Sequence, residues 1–563
     1  MSAKTQGIEP NASRLLWAGF MAILAAGVGF SIRGGILANW GQEFGFNAGQ
    51  LGLINGAGFL GFCFGIIIGG VIADKIGYGK LVIAAFVLHV ISAVISLAPS
   101  KGMATASAFN TLWTGTFIFA VANGTLEAVA NPIVARLFPS NRTHFLNILH
   151  ASWPAGLIIG GVVGAIFGEF VHWKILLGLF LVPTAIYGIM FLGQHMPKSE
   201  ASEKGLRLGD MLKDVGIIGA MVIGWLIALF MRDSLGPILG GLTGISFFTS
   251  TAWEYISWAA AISVVASVGV LTRGAMGHWM IFVLFVAHAL VGAVELGTDG
   301  WIQNITGNIL TPTIGKWLFV YTSTVMFLLR FCAHFIERTL KISPVGLLCL
   351  CSILAAVGLN LIAGANGIAP IMVALLVYGV GKTFFWPTML AVASDRFPRT
   401  GAVAISIMGG IGMMSAGQLG SPGLGYCKDR FAAEELTKAD PKVYADYKSP
   451  SPTKFSITTS NIQLVDNVYG LDGTKLGAVA DKVKKAKSEA AADPFATLTP
   501  EERAVAQSSE TADRRTLRID SFIPITMAGI YLLLFLYFKT IGGYKPVHLA
   551  EELTGGIQGP MEA

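Results

Sequence analysis

The chain has 563 residues, of which 53% are hydrophobic and only 13% charged, with a net charge of +6 and a positive mean hydropathy. Soluble globular chains carry about 25% charged residues, so this composition excludes that class. The basic balance does not point to nucleic acid, because the Lys and Arg sit in short connections between apolar stretches, where they set membrane topology. Of the five cysteines, Cys63, Cys332, Cys349 and Cys351 fall inside apolar runs and Cys427 stands alone at a run's end, so no disulfide framework, metal or cofactor is expected.

In chain order, apolar stretches predict spans near 15–39, 51–73, 80–98, 112–135, 145–168, 175–193, 214–231, 252–271, 279–302, 316–337, 345–363, 370–394, 402–424 and 521–539. Each is close to the roughly twenty residues that cross a hydrocarbon core as a helix. The segment after Arg14 is too long for a cleavable signal and is expected to remain as the first span. A cytoplasmic N-terminus puts Lys75/Lys80, Arg136/Arg142, Lys198/Lys204/Arg207/Lys213, Arg273, Arg338/Lys341, Arg396/Arg399 and Lys539/Lys545 on the cytoplasmic face. The opposite loops offer only Lys101, Lys174 and Lys316, so the expected protein is multi-pass in a plasma (bacterial inner) membrane with both termini inside.

Residues 426–520 are polar and separate the last two spans on the outer side. Asp493-Pro494 and Leu498-Thr499-Pro500-Glu501-Glu502 read as turn and helix-start signals. The insertion is expected to be a solvated excursion, partly helical and partly mobile, and not a dedicated binding domain. A faint repeat runs through the rest: Arg136-Leu137-Phe138-Pro139 returns as Asp395-Arg396-Phe397-Pro398, and Asp74-Lys75 as Glu337-Arg338, at nearly equal offsets. Two duplicated halves of parallel orientation follow, with an extra pair of spans between them. The expected divisions are 1–198 for the first six-helix half, 199–275 for a central linker with two extra spans, 276–425 for five spans of the second half, 426–520 for the insertion, and 521–563 for the last span and tail. Glycines at every fourth position, Gly61, Gly65 and Gly69 and again Gly156, Gly160, Gly164 and Gly168, make stripes that let helices approach closely and either slide or pack statically.

The run Gly70-Val71-Ile72-Ala73-Asp74-Lys75-Ile76-Gly77-Tyr78-Gly79-Lys80 resembles the cytoplasmic signature of the major facilitator superfamily. That resemblance implies an all-α fold of two six-helix halves, here with two more central helices, and a conformational latch at Gly70, Asp74, Lys75, Gly77 and Lys80, repeated at Glu337 and Arg338. A second stretch, Asn123-Gly124-Thr125-Leu126-Glu127-Ala128-Val129-Ala130-Asn131-Pro132 followed by Leu146-Asn147-Ile148-Leu149-His150-Ala151, is similar to the fourth and fifth spans of the fucose–proton symporter family. It implies a protonatable role for Glu127 and a sugar as substrate. The family's acidic residue in the first span has no counterpart in Ser31-Ile32-Arg33-Gly34-Gly35, and its sugar-contacting Gln aligns with His150.

Glu127 lies nine residues from Arg136, or about 13 to 14 Å at 1.5 Å per residue, near the middle of a core about 30 Å thick. A carboxylate at that depth must be protonated, paired or wetted, which suits a proton carrier. Lys382 reaches similar depth, about 18 Å from Pro370, and is expected either to form a switching pair with Glu127, to snorkel, or to pair with Glu295. Glu295 and Asp299 are four apart and share a helix face, with Asp299 alone reading as an interfacial residue. Arg33, Asn131 and Arg330 complete a candidate polar cavity, and Trp153 and Trp386 are candidates to stack on a sugar ring, Trp386 standing before Pro387 where the helix is expected to bend. His334 reads as interfacial.

The sequence thus predicts a monomeric, lipid-embedded secondary transporter that moves a small polar solute, a sugar by proton symport, through alternating access. An organic anion or sugar acid, proton- or sodium-coupled, is the alternative raised by Arg33, Lys382 and Arg330. A non-transporting sensor with a transporter fold is the reading from a different class. No nucleophile–base set, Walker loop or metal-spaced ligands point to an enzyme.

Overall fold

The computed structural model describes residues 10–46, 48–138, 142–168, 170–197, 208–332, 335–336, 339–450, 452–453, 455, 466–488 and 495–547. Among these, thirteen helical runs are long and apolar enough to cross a membrane. The first half consists of α1 (Ala12–Phe44), α2 (Ala48–Ile76), α3 (Tyr78–Leu97), α4 (Thr105–Leu137), α5 (Arg142–Phe167) and a sixth span broken into α6 (Trp173–Gly178) and α7 (Leu181–Phe191). After the short α8 (Leu208–Met211) come the central pair, α9 (Gly216–Phe230) continuing through a π-helical turn at Met231–Leu235 into α10 (Gly236–Thr243), then α11 (Thr251–Leu271).

The second half opens with α12 (Trp279–Val291), a π-helical turn at Gly292–Gly297 and α13 (Thr298–Ile309), which form one span. It continues with α14 (Pro312–Arg330), α15 (Pro344–Gly364), and α16 (Ile368–Lys382) breaking into α17 (Phe385–Arg396). Next comes α18 (Gly401–Ser415), which passes through a π-helical turn at Ala416–Gly420 into α19 (Ser421–Ala439). The insertion adds α20 (Pro441–Tyr447), α21 (Gly473–Ser488) and α22 (Pro500–Asp520), and α23 (Phe522–Thr540) is the last span. Counting α14, fourteen helical runs among the described residues have the length of a span. At 19 residues α14 is long enough to cross, but Lys316, Thr322, Ser323 and Arg330 make it more polar than the others.

Local signals account for the ends. Pro312, Pro344 and Pro500 open their helices, where a missing N–H costs nothing, behind Thr311, Ser343 and Thr499, whose side chains each accept a backbone N–H of the first turn. Thr499 and Glu502 complete a reciprocal capping box at the predicted helix start. The paired signal Asp493-Pro494 lies outside the described residues. Span ends differ from the sequence expectation where polar residues extend a helix beyond the apolar run. The span expected at 402–424 continues as α19 into the insertion, and the one expected at 316–337 is displaced to Pro312–Arg330.

The glycine stripes pack mainly within a half, although Gly168 at the end of the second faces Lys316 of the other half. A Cβ on Gly65 would lie 2.1 Å from the Val121 carbonyl oxygen, and one on Gly124 equally near that of Phe62, so α2 and α4 touch backbone to backbone. Gly156 and Gly160 meet the Leu24 and Val28 carbonyls of α1 in the same way. These pairs are static packing inside the first half. The halves meet along α2 with α18 and its π turn, where a Cβ on Gly56 would sit 2.7 Å from the Gly417 carbonyl oxygen and Gly70 abuts Ser406, and along α5 with α14, where Gly161 faces Val320. The added α9 leans on both: Phe230 packs tilted 4.7 Å from Phe64 and stacks 6.0 Å from Phe117 in the first half. Ser234, in the turn beyond it, donates to Gln418 of the second half at 3.3 Å.

The described residues of the insertion are folded. Phe431, Leu436, Val443, Leu471, Val479, Leu498 and Val505 form a core of their own, separate from that of the spans. It is therefore a packed cap on the ends of the spans and not a solvated excursion.

Candidate functional site

Five spans converge midway through the membrane-crossing region. On α4, Glu127 and Asn131 are one turn apart, and Asn131 Nδ2 donates to Glu127 Oε1 at 3.3 Å. His150 of α5 places Nε2 3.0 Å from Asn131 Oδ1 and 3.8 Å from Glu127 Oε1. The three side chains are 4 to 5% exposed, so this is a closed polar triad inside an apolar half.

Arg330, at the end of α14, reaches into it from the second half. Its Nη1 donates to the His150 backbone carbonyl and its Nε to the Thr383 carbonyl at 3.3 Å, while Nη2 lies 3.6 Å from Glu295 Oε1. Its charge also interacts with Glu127. Trp386 lies near both carboxyls and acts on them electrostatically. One carboxyl from each half thus lies in the field of Arg330. Glu295 Oε2 is buried without a hydrogen-bond partner among the described residues.

The expectations for Lys382 resolve differently. It is fully buried and its Nζ contacts Asp299 Oδ1 and Oδ2 at 2.5 and 2.6 Å, so its partner is neither Glu127 nor Glu295, and it does not snorkel. Asp299 is correspondingly no interfacial residue, being 2% exposed. The helix that carries both carboxyls passes through a π turn at Gly292–Gly297, and each carboxyl meets a different cation. Glu295 faces Arg330 and Asp299 faces Lys382, with Tyr378 5.3 Å beneath the ammonium.

Arg33 stands apart from this network. Its guanidinium lies over the Phe119 ring at 4.7 Å, it is 4% exposed, and among the described residues no carboxylate pairs with it. Trp153 packs on Phe30 at 5.4 Å near the α1–α5 contact and does not join the triad. Trp386 does, and the helix breaks as expected just before it, between Lys382 and Phe385. Of the latch residues, Gly70 touches Ser406 of α18, Gly77 takes φ +86 at the α2–α3 turn and Lys80 is exposed. The side chains of Asp74 and Lys75, and residues His334, Glu337 and Arg338, lie outside the described residues.

Sequence reasoning missed His288. It is fully buried on α12, its ring 4.5 Å from Trp386, with both ring nitrogens lacking hydrogen-bond partners among the described residues. A signal existed: a lone His in the apolar run Trp279–Val291, seven residues before Glu295 and so on nearly the same helix face. Asp520 was also missed, and accepts from Thr298 at 2.6 Å.

Fourteen packed spans with ionisable side chains buried where two helical halves meet define a polytopic membrane transporter fold. The chain belongs to the Major Facilitator Superfamily, whose family profile matches residues 19–421, and it moves a small solute across a membrane. Among solved structures it is similar to a bacterial homologue of the human lysosomal transporter Spinster, with a TM-score of 0.56, 13% identity, and 96% of this chain and 100% of that chain covered. It is similar to PepTSo2, with a TM-score of 0.55 and 9% identity over 94% and 99% of the two chains. It also resembles the xylose transporter XylE from E. coli, with a TM-score of 0.51 and 13% identity over 73% and 92%. At such identities the likeness is one of fold. A curated relative, "Putative metabolite transport protein YwtG" of Bacillus subtilis (strain 168), is 26% identical over 155 residues, which span 27% of this chain and only 32% of that protein.

Proposed function

We propose that the protein is a proton-coupled symporter of a small neutral sugar, working by alternating access with the insertion facing outward and both termini in the cytoplasm. The observation that carries this reading is the placement of Glu127, a buried carboxyl whose partners come from both halves. When Glu127 is charged, it strengthens the hold of Arg330 on the first half. When a proton neutralises it, Arg330 keeps the His150 carbonyl in the first half but loses the attraction of that charge, so Glu295 and the Thr383 carbonyl in its own half hold it more strongly and the connection across the halves weakens. Asn131 and His150 position the carboxyl, and Trp386 offers an aromatic face beside it for the apolar side of a sugar ring.

In proteoliposomes with an imposed pH gradient, Glu127→Gln is expected to abolish uphill sugar accumulation while leaving sugar exchange intact. Unchanged gradient-driven accumulation would sink the assignment. A second reading, an organic anion such as a sugar acid, is supported by Arg33, a buried cation with no described carboxylate. Parallel uptake of D-glucose and D-gluconate separates the two, and replacing external sodium by choline tests sodium as the coupling ion.

A further inference from the structure

Where the spans meet the insertion, α1 and α13 on one side and α19, α21 and α22 on the other enclose a cavity of about 640 Å³. That volume is in the range of small-molecule sites, roughly 300–1,000 Å³. Its floor is the contact of α1 and α2 with α13: Gly34 meets the Gln303 carboxamide, Gly52 meets Trp301 and Gly300 meets Asn55. This contact separates the chamber from the Asp299–Lys382 pair, which lies one helical turn, about 6 Å, below Gln303.

The roof is fastened to α13. Lys487 Nζ donates to the carbonyls of Asn308 and Ile309 at 3.1 and 3.0 Å, capping the end of that helix, and Asn308 Nδ2 donates to Asp513 Oδ2 at 2.8 Å. Toward the first half it touches α1 through Gln42, which donates to Asp481 at 3.5 Å. Several charges of the wall are engaged: Lys428 with Asp513, Lys316 with the Gly164 carbonyl, Asp429 with Thr453 and Glu510 with Arg514, while Asp481, Lys484 and Lys487 line it as well.

Two uncharged side chains also face the chamber. Gln303 is 8% exposed, lines the cavity and has no hydrogen-bond partner among the described residues, and Asn304 beside it is exposed and likewise unpartnered. A carboxamide both donates and accepts, as does a hydroxyl group, and neither demands a charged partner. Trp301 adds an apolar ring, held in place by its indole N–H on the Ser421 carbonyl at 3.0 Å.

We propose that this chamber is a second solute site, outside the central one, which binds a neutral polyhydroxylated molecule of monosaccharide size before the α1–α13 contact opens. The inference rests on the reading of the protein as an outward-capped sugar symporter.

The test is equilibrium dialysis of the purified full chain in lipid nanodiscs against tritiated D-glucose, D-galactose, D-xylose and L-fucose, with D-gluconate as competitor. At saturation, two molecules of at least one neutral sugar are expected per chain. Asn304→Trp, which fills the chamber from an exposed position, should remove one of them, as should the near-isosteric Gln303→Leu. His150→Leu should remove the other, all variants being checked for monodispersity. A single bound sugar lost in His150→Leu and retained in both chamber variants would overturn the chamber while leaving the symporter reading intact. A single sugar lost only in the chamber variants would keep the chamber and refute the central site, and no binding of any sugar would refute both. Competition by D-gluconate at the chamber as strong as by unlabelled sugar would overturn its neutral selectivity.

Discussion

Lys382 and Asp299 show what a buried charge requires. Neither is accessible to water, and each has the other as its charged partner at hydrogen-bond distance. Replacing one leaves the other charged in an apolar surrounding, which costs about 3 to 5 kcal/mol, whereas replacing both by neutral residues of similar volume is close to neutral. Lys382→Met is therefore expected to lower the thermal melting temperature strongly, and Lys382→Met with Asp299→Asn to recover most of it, as read by intrinsic fluorescence melts in detergent. If the pair gates transport in addition, the double variant will be stable yet slow in sugar exchange. The individual residues were largely legible in the sequence, because an ionisable side chain inside an apolar run stands out by cost alone. Their pairings were not. Glu295 and Asp299 read as neighbours on one face, and nothing in their local sequence says that one meets Arg330 and the other Lys382.

At the level of helices, small residues fix which surfaces touch. Gly65 and Gly124 allow α2 and α4 to meet at backbone distance, and no side chain fits there. Gly65→Val is expected to destabilise the first half by about 1 to 3 kcal/mol or more through overpacking, visible as reduced folded yield on size-exclusion chromatography. Gly164→Val, whose Cβ meets nothing within 4 Å, should be tolerated. The stripes were visible in the sequence, but the choice between sliding and static packing depended on the partner helix, which lies some sixty residues away. The insertion is the opposite case. Its helix start at Thr499 was readable from the capping box, while its core and its attachment to α13 required the fold. Replacing residues 431–514 by a short flexible linker is expected to lower the melting temperature, since Lys487 and Asp513 then no longer hold the end of α13, while sugar exchange continues. Complete loss of exchange in a well-folded variant would favour a sensor built on a transporter fold.

For the whole molecule, the contacts between halves locate the moving parts. On the insertion side α1 and α2 close on α13, and toward the other end Gly70 of α2 abuts Ser406 of α18. Alternating access requires each set to open in turn, and close backbone approach on both sides of the centre is what permits it. Gly56→Leu, which would force α2 away from the Gly417 carbonyl, is expected to hold the insertion-side contact apart. Faster labelling of a cysteine introduced at Gln303 by a water-soluble maleimide, in a background lacking the native cysteines, reads that shift. Unaltered labelling in a folded variant would show that this contact does not govern access.

The sequence by itself determined that the chain lies in a membrane, how many times it crosses, and which few residues are too costly to be there without purpose. Those properties are sums or local differences of transfer free energy, and they need no knowledge of neighbours. Only the tertiary structure decided that Arg330 lies between Glu127 and Glu295, that Lys382 belongs to Asp299, and that the insertion roofs a chamber above α13. Pairing inside a low-dielectric interior depends on distance and direction between helices far apart in the chain.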